Sequence, residues 1–151
     1  MKKIEIANLN ELNDFASHFL LSLEKSADTS KVSVVTLTGE LGAGKTTFVQ
    51  HLAKRLGVTE VVQSPTFTIY KIYDTENKFF KTLVHMDAYR IEDISELRPL
   101  NFHKILEQPN TLFCIEWAER IKEALPKEVV SLTFSHQGEN GRVVQLEGLD
   151  M

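Results

Sequence analysis

Between a β-branched apolar run and an amphipathic stretch, the chain reads Gly39-Glu40-Leu41-Gly42-Ala43-Gly44-Lys45-Thr46. This fits G-x-x-x-x-G-K-[ST] without a mismatch. Gly39 and Gly44 let the backbone curl so that successive N–H groups face one concavity. The helix that follows adds the positive end of its dipole, so the natural guest is a polyphosphate. Residues Glu40, Leu41, Gly42, Ala43, Gly44, Lys45, Thr46 and Thr47 therefore form the expected nucleotide-binding segment, with ATP as the expected ligand. Lys45 supplies a mobile charge to the β- and γ-phosphates, and the Thr46 hydroxyl is a ligand for Mg²⁺. A glycine turn that merely reversed the chain would explain neither Lys45 nor the flanking elements.

The motif needs a strand before it and a helix after it, and the pattern supplies both. Val32 to Thr38 is apolar with little alternation, as in a strand buried on both faces of a parallel sheet. Phe48, Val49, Leu52, Ala53 and Leu56 form a helical stripe, closed by Gly57 at the position of a left-handed cap. Upstream, Lys3 to Ala7 is extended. Leu12, Phe15, Ala16, Phe19, Leu20 and Leu23 then mark an earlier helix, with Asn8 and Glu11 spaced as a capping pair.

Downstream, Thr66 to Tyr73 and Phe79 to Met86 are expected to form a hairpin across Asp74 to Lys78. Helix is expected from Ile91 to about Leu106, interrupted at Pro99. A buried strand follows at Thr111 to Ile115, then a short helix from Ala118 to Leu125. A second hairpin turns at Gly138 to Gly141, with Val130, Leu132 and Phe134 alternating before the turn and Val144 and Leu146 after it. The expected fold is α/β: a three-layer P-loop NTPase-like domain with a mixed sheet, central parallel strands flanked by antiparallel hairpin strands. With 151 residues, one domain over 1–151 is expected.

Composition limits the setting. A single cysteine, Cys114, suits a reducing compartment. Met1-Lys2-Lys3 is followed by Glu5, Asn8, Asn10 and Glu11 rather than an apolar stretch, so no secretion signal is expected. Uncharged apolar runs fall far short of the ~20 residues of a membrane span. The expected location is the cytoplasm, away from membranes. With 17 Lys plus Arg against 21 Asp plus Glu, and no basic run beyond Lys2-Lys3 or Lys54-Arg55, there is no basic stripe for DNA.

A magnesium site also needs a carboxylate at a neighbouring strand end, and two are present: Asp87 after Leu83 to Met86, and Glu116 after Leu112 to Ile115. Either carboxylate can serve the metal while the other orients the attacking water, which makes Lys45, Asp87 and Glu116 the candidate catalytic set. Capping of a following helix would suit Asp87 equally well. Ser64, Thr66 and Thr68 stand where nucleotide switches sense the γ-phosphate, although Thr is also simply a good strand former. Trp117, beside Glu116, suits a partner surface or a nucleotide lid, or equally a core anchor. His85 and the other four histidines lack metal-ligand spacing and read as structural.

Four segments in order, GELGAGKTT at 39–47, SPTFT at 64–68, HMDAYR at 85–90 and EWAE at 116–119, closely resemble the TsaE (YjeE) family. The resemblance covers essentially the whole chain. It implies a bacterial Mg²⁺-dependent ATPase required for threonylcarbamoyladenosine at position 37 of tRNAs reading codons that begin with A. It also implies work with the TsaD–TsaB transferase complex without modifying the tRNA itself, and the net charge of −4 leads us to expect tRNA to be met only indirectly, through partners. In the family pattern Glu116 and Trp117 match a Glu-Trp pair associated with activity, and Arg90 matches the arginine closing the H-x-D-x-Y-R motif. Ala88 and Asn101 depart from it, at positions where many members carry Leu and Gly.

Two other nucleotide chemistries fit less well. A small-molecule phosphotransferase needs a lid of paired arginines, whereas Arg55, Arg90, Arg98, Arg120 and Arg142 are scattered. A GTPase would need a D-x-x-G switch, and Asp87-Ala88-Tyr89-Arg90 lacks its glycine. A module whose nucleotide gates partner binding overlaps with the ATPase reading. With no obvious arginine finger or positioned glutamine, slow hydrolysis by the isolated chain is expected, completed or exploited on a partner.

Overall fold

The computed structural model describes residues 1–65 and 69–151. Strand β1 (Lys2–Ile6) leads into helix α1 (Leu9–Ser26), whose start is fixed by Asn8: its side chain accepts from Glu11 N, while Glu11 Oε1 accepts from Ala7 N. Strand β2 (Ser33–Gly39) runs into the glycine loop, and helix α2 (Lys45–Arg55) leaves it. Gly57, at φ +84°, turns the chain after α2 as its sequence position requires. Then come β3 (Tyr70–Asp74), β4 (Thr82–Asp87), α3 (Phe102–Leu106), β5 (Thr111–Glu116), β6 (Val130–Gln137) and β7 (Gly141–Glu147).

Among the described residues these strands form one sheet in the order β1-β7-β6-β2-β5-β4-β3. Strands β6, β2, β5 and β4 are parallel neighbours, and β3, β7 and β1 join antiparallel at the two sides. The expected mixed sheet is therefore observed. Its pleat sorts the apolar residues into two layers, because consecutive strand residues face opposite ways. Val35, Leu37, Leu83, Leu112 and Phe134 lie under α1 and α2, where Phe15, Phe19 and Phe48 close the packing. Phe48 meets Phe19 and Phe134 edge-on, at centroid distances of 5.3 and 5.8 Å. Val34, Val84, Met86, Phe113 and Ile115 face the other way, covered by Leu97, Phe102, Ile105 and Ile121.

The second cover layer is thinner than its pattern suggests. The stretch expected to be helical from Ile91 to Leu106 is one 3-10 turn, Ile94–Leu97, and the five-residue α3. The break lies at Pro99 and at Asn101, which sits in the left-handed region at φ 59°. Asn tolerates that conformation better than most residues, which suits it to this break. The segment after Glu116 is 3-10 over Ala118–Ala124, kinked at Ile121, rather than one α-helix. The first hairpin pairs β3 with β4, its second arm starting at Thr82 rather than Phe79, while residues 66–68 of the expected first arm lie outside the described residues; the Asn77 side-chain carbonyl holds the connection by accepting from Phe79 N and Phe80 N. Among the described residues no helix is long and apolar enough to cross a membrane.

Candidate nucleotide and metal site

Strand β2 lies between β6 and β5, so its carboxyl end opens into a crevice flanked by two other strand ends. A cavity of about 590 Å³ occupies this place. It is lined by Gly42, Gly44, Lys45, Thr46 and Thr47 of the loop and the start of α2, by Asp87, Tyr89, Glu116 and Trp117 at and after the ends of β4 and β5, and by Leu9, Leu41, Ser64 and Arg142.

Backbone constraints explain the glycines of the loop. Gly39 has φ +116°, and a side chain there would put its Cβ 2.0 Å from Phe134 O. Gly44 has φ +106°, and a Cβ would stand 2.5 Å from an Arg142 guanidinium nitrogen. The loop is also tied to β6. Glu40 N donates to Phe134 O (3.0 Å), the Glu40 carboxylate accepts from His136 N (3.0 Å), and the His136 ring meets Leu41 O at 2.9 Å. The Glu40 side chain is thus occupied in holding the loop, Ala43 is buried, and Leu41, which lines the cavity, is 81% exposed.

Lys45 is almost fully buried. Its ammonium donates to Gly39 O (2.8 Å) and Glu40 O (3.0 Å) and lies 4.8 Å from the centroid of the Trp117 ring. Thr46 places its hydroxyl 2.9 and 3.0 Å from the two carboxylate oxygens of Glu116. Glu116, 3% exposed, is met on its other side by His85, whose Nε2 lies 2.6 Å from Oε2. Asp87 pairs with Glu116 in register at the end of the adjacent strand, lines the cavity, and accepts from Tyr89 N at 2.9 Å. The two strand-end carboxylates and the loop threonine are therefore brought to one place.

Trp117 is half-buried in the left-handed region at φ 57°. It packs against Tyr89 at 5.0 Å, and the Arg120 guanidinium lies 5.1 Å from the Tyr89 ring. This makes a short stack from the surface to Lys45. Ser64 lines the cavity, whereas Arg90 lies on the surface and is not among the lining residues. Thr66 and Thr68 lie outside the described residues. Cys114, on the same strand face as Glu116, is fully buried. Burial first, and then the Glu116 charge, push its thiol up, so it is a neutral core group and no nucleophile.

Several contributors carry no sequence signal at the loop. Arg142 and Leu9 enter from β7 and α1, and His136 from β6. His85 is the one that spacing could have exposed: it lies two residues before Asp87, hence on the same face of β4. Among the described residues no group of three or more His, Cys, Asp or Glu forms a metal cage. Thr46 and Glu116, with Asp87 beside them, are the residues able to hold a divalent cation, and this sparse oxygen set suits Mg²⁺ when phosphates complete the coordination.

Residues 6–144 match the family model described as threonylcarbamoyl adenosine biosynthesis protein TsaE. The chain is 43% identical over 113 residues to the tRNA threonylcarbamoyladenosine biosynthesis protein TsaE of Bacillus subtilis, covering 74% of this chain and 66% of that protein. It is 37% identical over 117 residues to the TsaE of Borreliella burgdorferi (76% and 81% covered), and 32% over 138 residues to that of Rickettsia typhi (91% and 88%). The crystal structure of YdiB from Bacillus subtilis superposes with a TM-score of 0.75 at 30% identity, covering 99% of this chain and 86% of that one. The full-length sheet, the loop joining β2 to α2 and these matches agree, and the chain belongs to the TsaE family of threonylcarbamoyladenosine biosynthesis proteins.

Proposed function

We propose that the chain is a Mg²⁺-dependent ATPase that serves formation of threonylcarbamoyladenosine on tRNA, acting with the TsaD–TsaB transferase complex. The observation that carries this reading is the Thr46 hydroxyl, at the end of a complete phosphate-loop motif, set against the Glu116 carboxylate. Loop N–H groups and Lys45 would bind the phosphates, after Lys45 exchanges its two carbonyl acceptors for phosphate oxygens. Thr46 and Glu116, with Asp87, would hold Mg²⁺, which when bound neutralises charge on the β- and γ-phosphates. Glu116 and Asp87 are also the carboxylates able to orient a water. Among the described residues no second arginine accompanies Arg142 at the cavity, and this supports slow hydrolysis by the chain alone that rises or is harnessed on the partner. The family membership supports the pathway. The formal charge of −4 supports contact with tRNA through partners rather than directly.

The test is phosphate release from Mg²⁺–ATP by wild type beside Lys45→Ala, alone and with a TsaD–TsaB pair. Hydrolysis that needs Lys45 and changes when the pair is added is the expected result. Phosphate transferred to a small acceptor, with no response to the pair, would make the protein a phosphotransferase instead.

A further inference from the structure

Among the described residues two side chains hydrogen-bond the Glu116 carboxylate, and only one belongs to the phosphate loop. The Thr46 hydroxyl has a single proton yet lies within 3.0 Å of both carboxylate oxygens, so it cannot satisfy both. The second donor is His85. Its ring is fully buried, and its Nε2 lies 2.6 Å from Oε2. An ionised carboxylate only accepts, so towards an ionised Glu116 the ring nitrogen Nε2 is the donor in this contact. The other ring nitrogen, Nδ1, is buried and has no hydrogen-bond partner among the described residues. Among the described residues the imidazole is thus oriented by one polar contact alone, and that contact is with Glu116. A histidine kept merely to fill the core would leave a polar atom unsatisfied for no return, since an apolar residue of similar size fills the space without that cost.

The register explains how the contact arises. His85 pairs with Cys114, two residues before Glu116 on β5, so the two side chains share a sheet face and meet along a diagonal. Thr46 approaches the carboxylate from α2, and His85 approaches it from deeper in the sheet. We infer that His85 is a positioning residue for the metal site: it holds Oε2 and thereby fixes the carboxylate that faces Thr46. The role corresponds to the outer partners that orient metal ligands in other proteins. The inference rests on the Mg²⁺–nucleotide reading of the site.

Two amide variants test it. His85→Gln carries an N–H to about the reach of the far ring nitrogen, while His85→Asn is one methylene shorter and cannot meet Oε2. The measurement is the calorimetric affinity for a non-hydrolysable ATP analogue in EDTA and in saturating Mg²⁺, with the ratio giving the metal's coupling to nucleotide. Wild type and His85→Gln should agree in that ratio within about threefold, and His85→Asn should lose roughly tenfold or more, the scale of lost outer-shell support. Affinities in EDTA should be alike in all three. Equal ratios in all three proteins, equal losses in both variants, or failure of both to fold would overturn the positioning role and leave His85 a packing residue. A wild-type chain that binds the analogue without any metal effect would overturn the site reading, and this inference with it.

Discussion

The ammonium of Lys45 lies over the ring of Trp117, 4.8 Å from its centroid, while donating to Gly39 O and Glu40 O. Phosphate binding must draw Lys45 away from at least part of this arrangement, and Trp117 is the only tryptophan in the chain. Its emission should therefore change when Mg²⁺ and a non-hydrolysable ATP analogue are added. Lys45→Ala should start from a shifted emission and respond far less. Trp117→Ala should cost only about 0.5–1 kcal/mol in urea unfolding, the scale of a partly exposed cation–π contact. A far larger loss would make Trp117 a core anchor.

Removal of the Thr46 hydroxyl takes away one of the two groups on Glu116. Thr46→Ala should lower Mg²⁺-dependent ATP turnover on the order of 10²-fold, comparable to the loss of one preorganised electrostatic contact. Thr46→Ser keeps the hydroxyl and should retain most of the turnover. Equal rates for the Ala and Ser variants, measured by phosphate release, would dissociate Thr46 from the metal.

Two left-handed positions should respond differently to substitution. Gly39→Ala drives a Cβ into the Phe134 carbonyl and should lower unfolding free energy by about 3 kcal/mol or prevent folding. Asn101→Gly keeps a residue suited to φ 59° and should change stability by less than about 1 kcal/mol. Asn101→Val introduces a β-branched side chain there and should cost about 1–3 kcal/mol. Urea titrations of the three variants check the order.

His51, on α2, has its Nε2 buried with no hydrogen-bond partner among the described residues. Burial first, then the charges of Lys54 and Arg55, hold it below the ordinary histidine value of 6.5. The unfolded chain then binds more protons than the folded one as acidity rises. This contribution to stability is complete above pH 6.5 and is lost as pH falls from there through the folded value. His51→Gln should flatten the acid side of the stability profile, measured by urea midpoints from about pH 7.5 down to about pH 5.5. An unchanged profile would assign the acid loss to other groups.

The central strands and both early helices are legible because their patterns are local: unbroken apolar runs for β2 and β5, a three-and-four spacing for α1 and α2. The span from Ile91 to Leu106 misleads because its apolar residues keep a helical spacing while Pro99 and Asn101 break the backbone that would carry it. At the site, the loop, Asp87 and Glu116 declare themselves by motif and by position at strand ends. Arg142 and His136 do not, since only the sheet order brings β6 and β7 beside a loop about a hundred residues earlier. His85 is hidden for another reason. Its spacing from Asp87 puts it on the site's face of β4, but that its partner is Glu116 emerges only once the register is known.

The attachment of the phosphate loop to β6 also bears on synthesis. Glu40 depends on Phe134 and on His136, which lies 96 residues later in the chain. A nascent chain that has released only β2 and α2 from the ribosome holds the whole motif but lacks its anchor. The loop can take its final shape only after β6 has slotted in beside β2, so capture of nucleotide should wait until β6 has emerged.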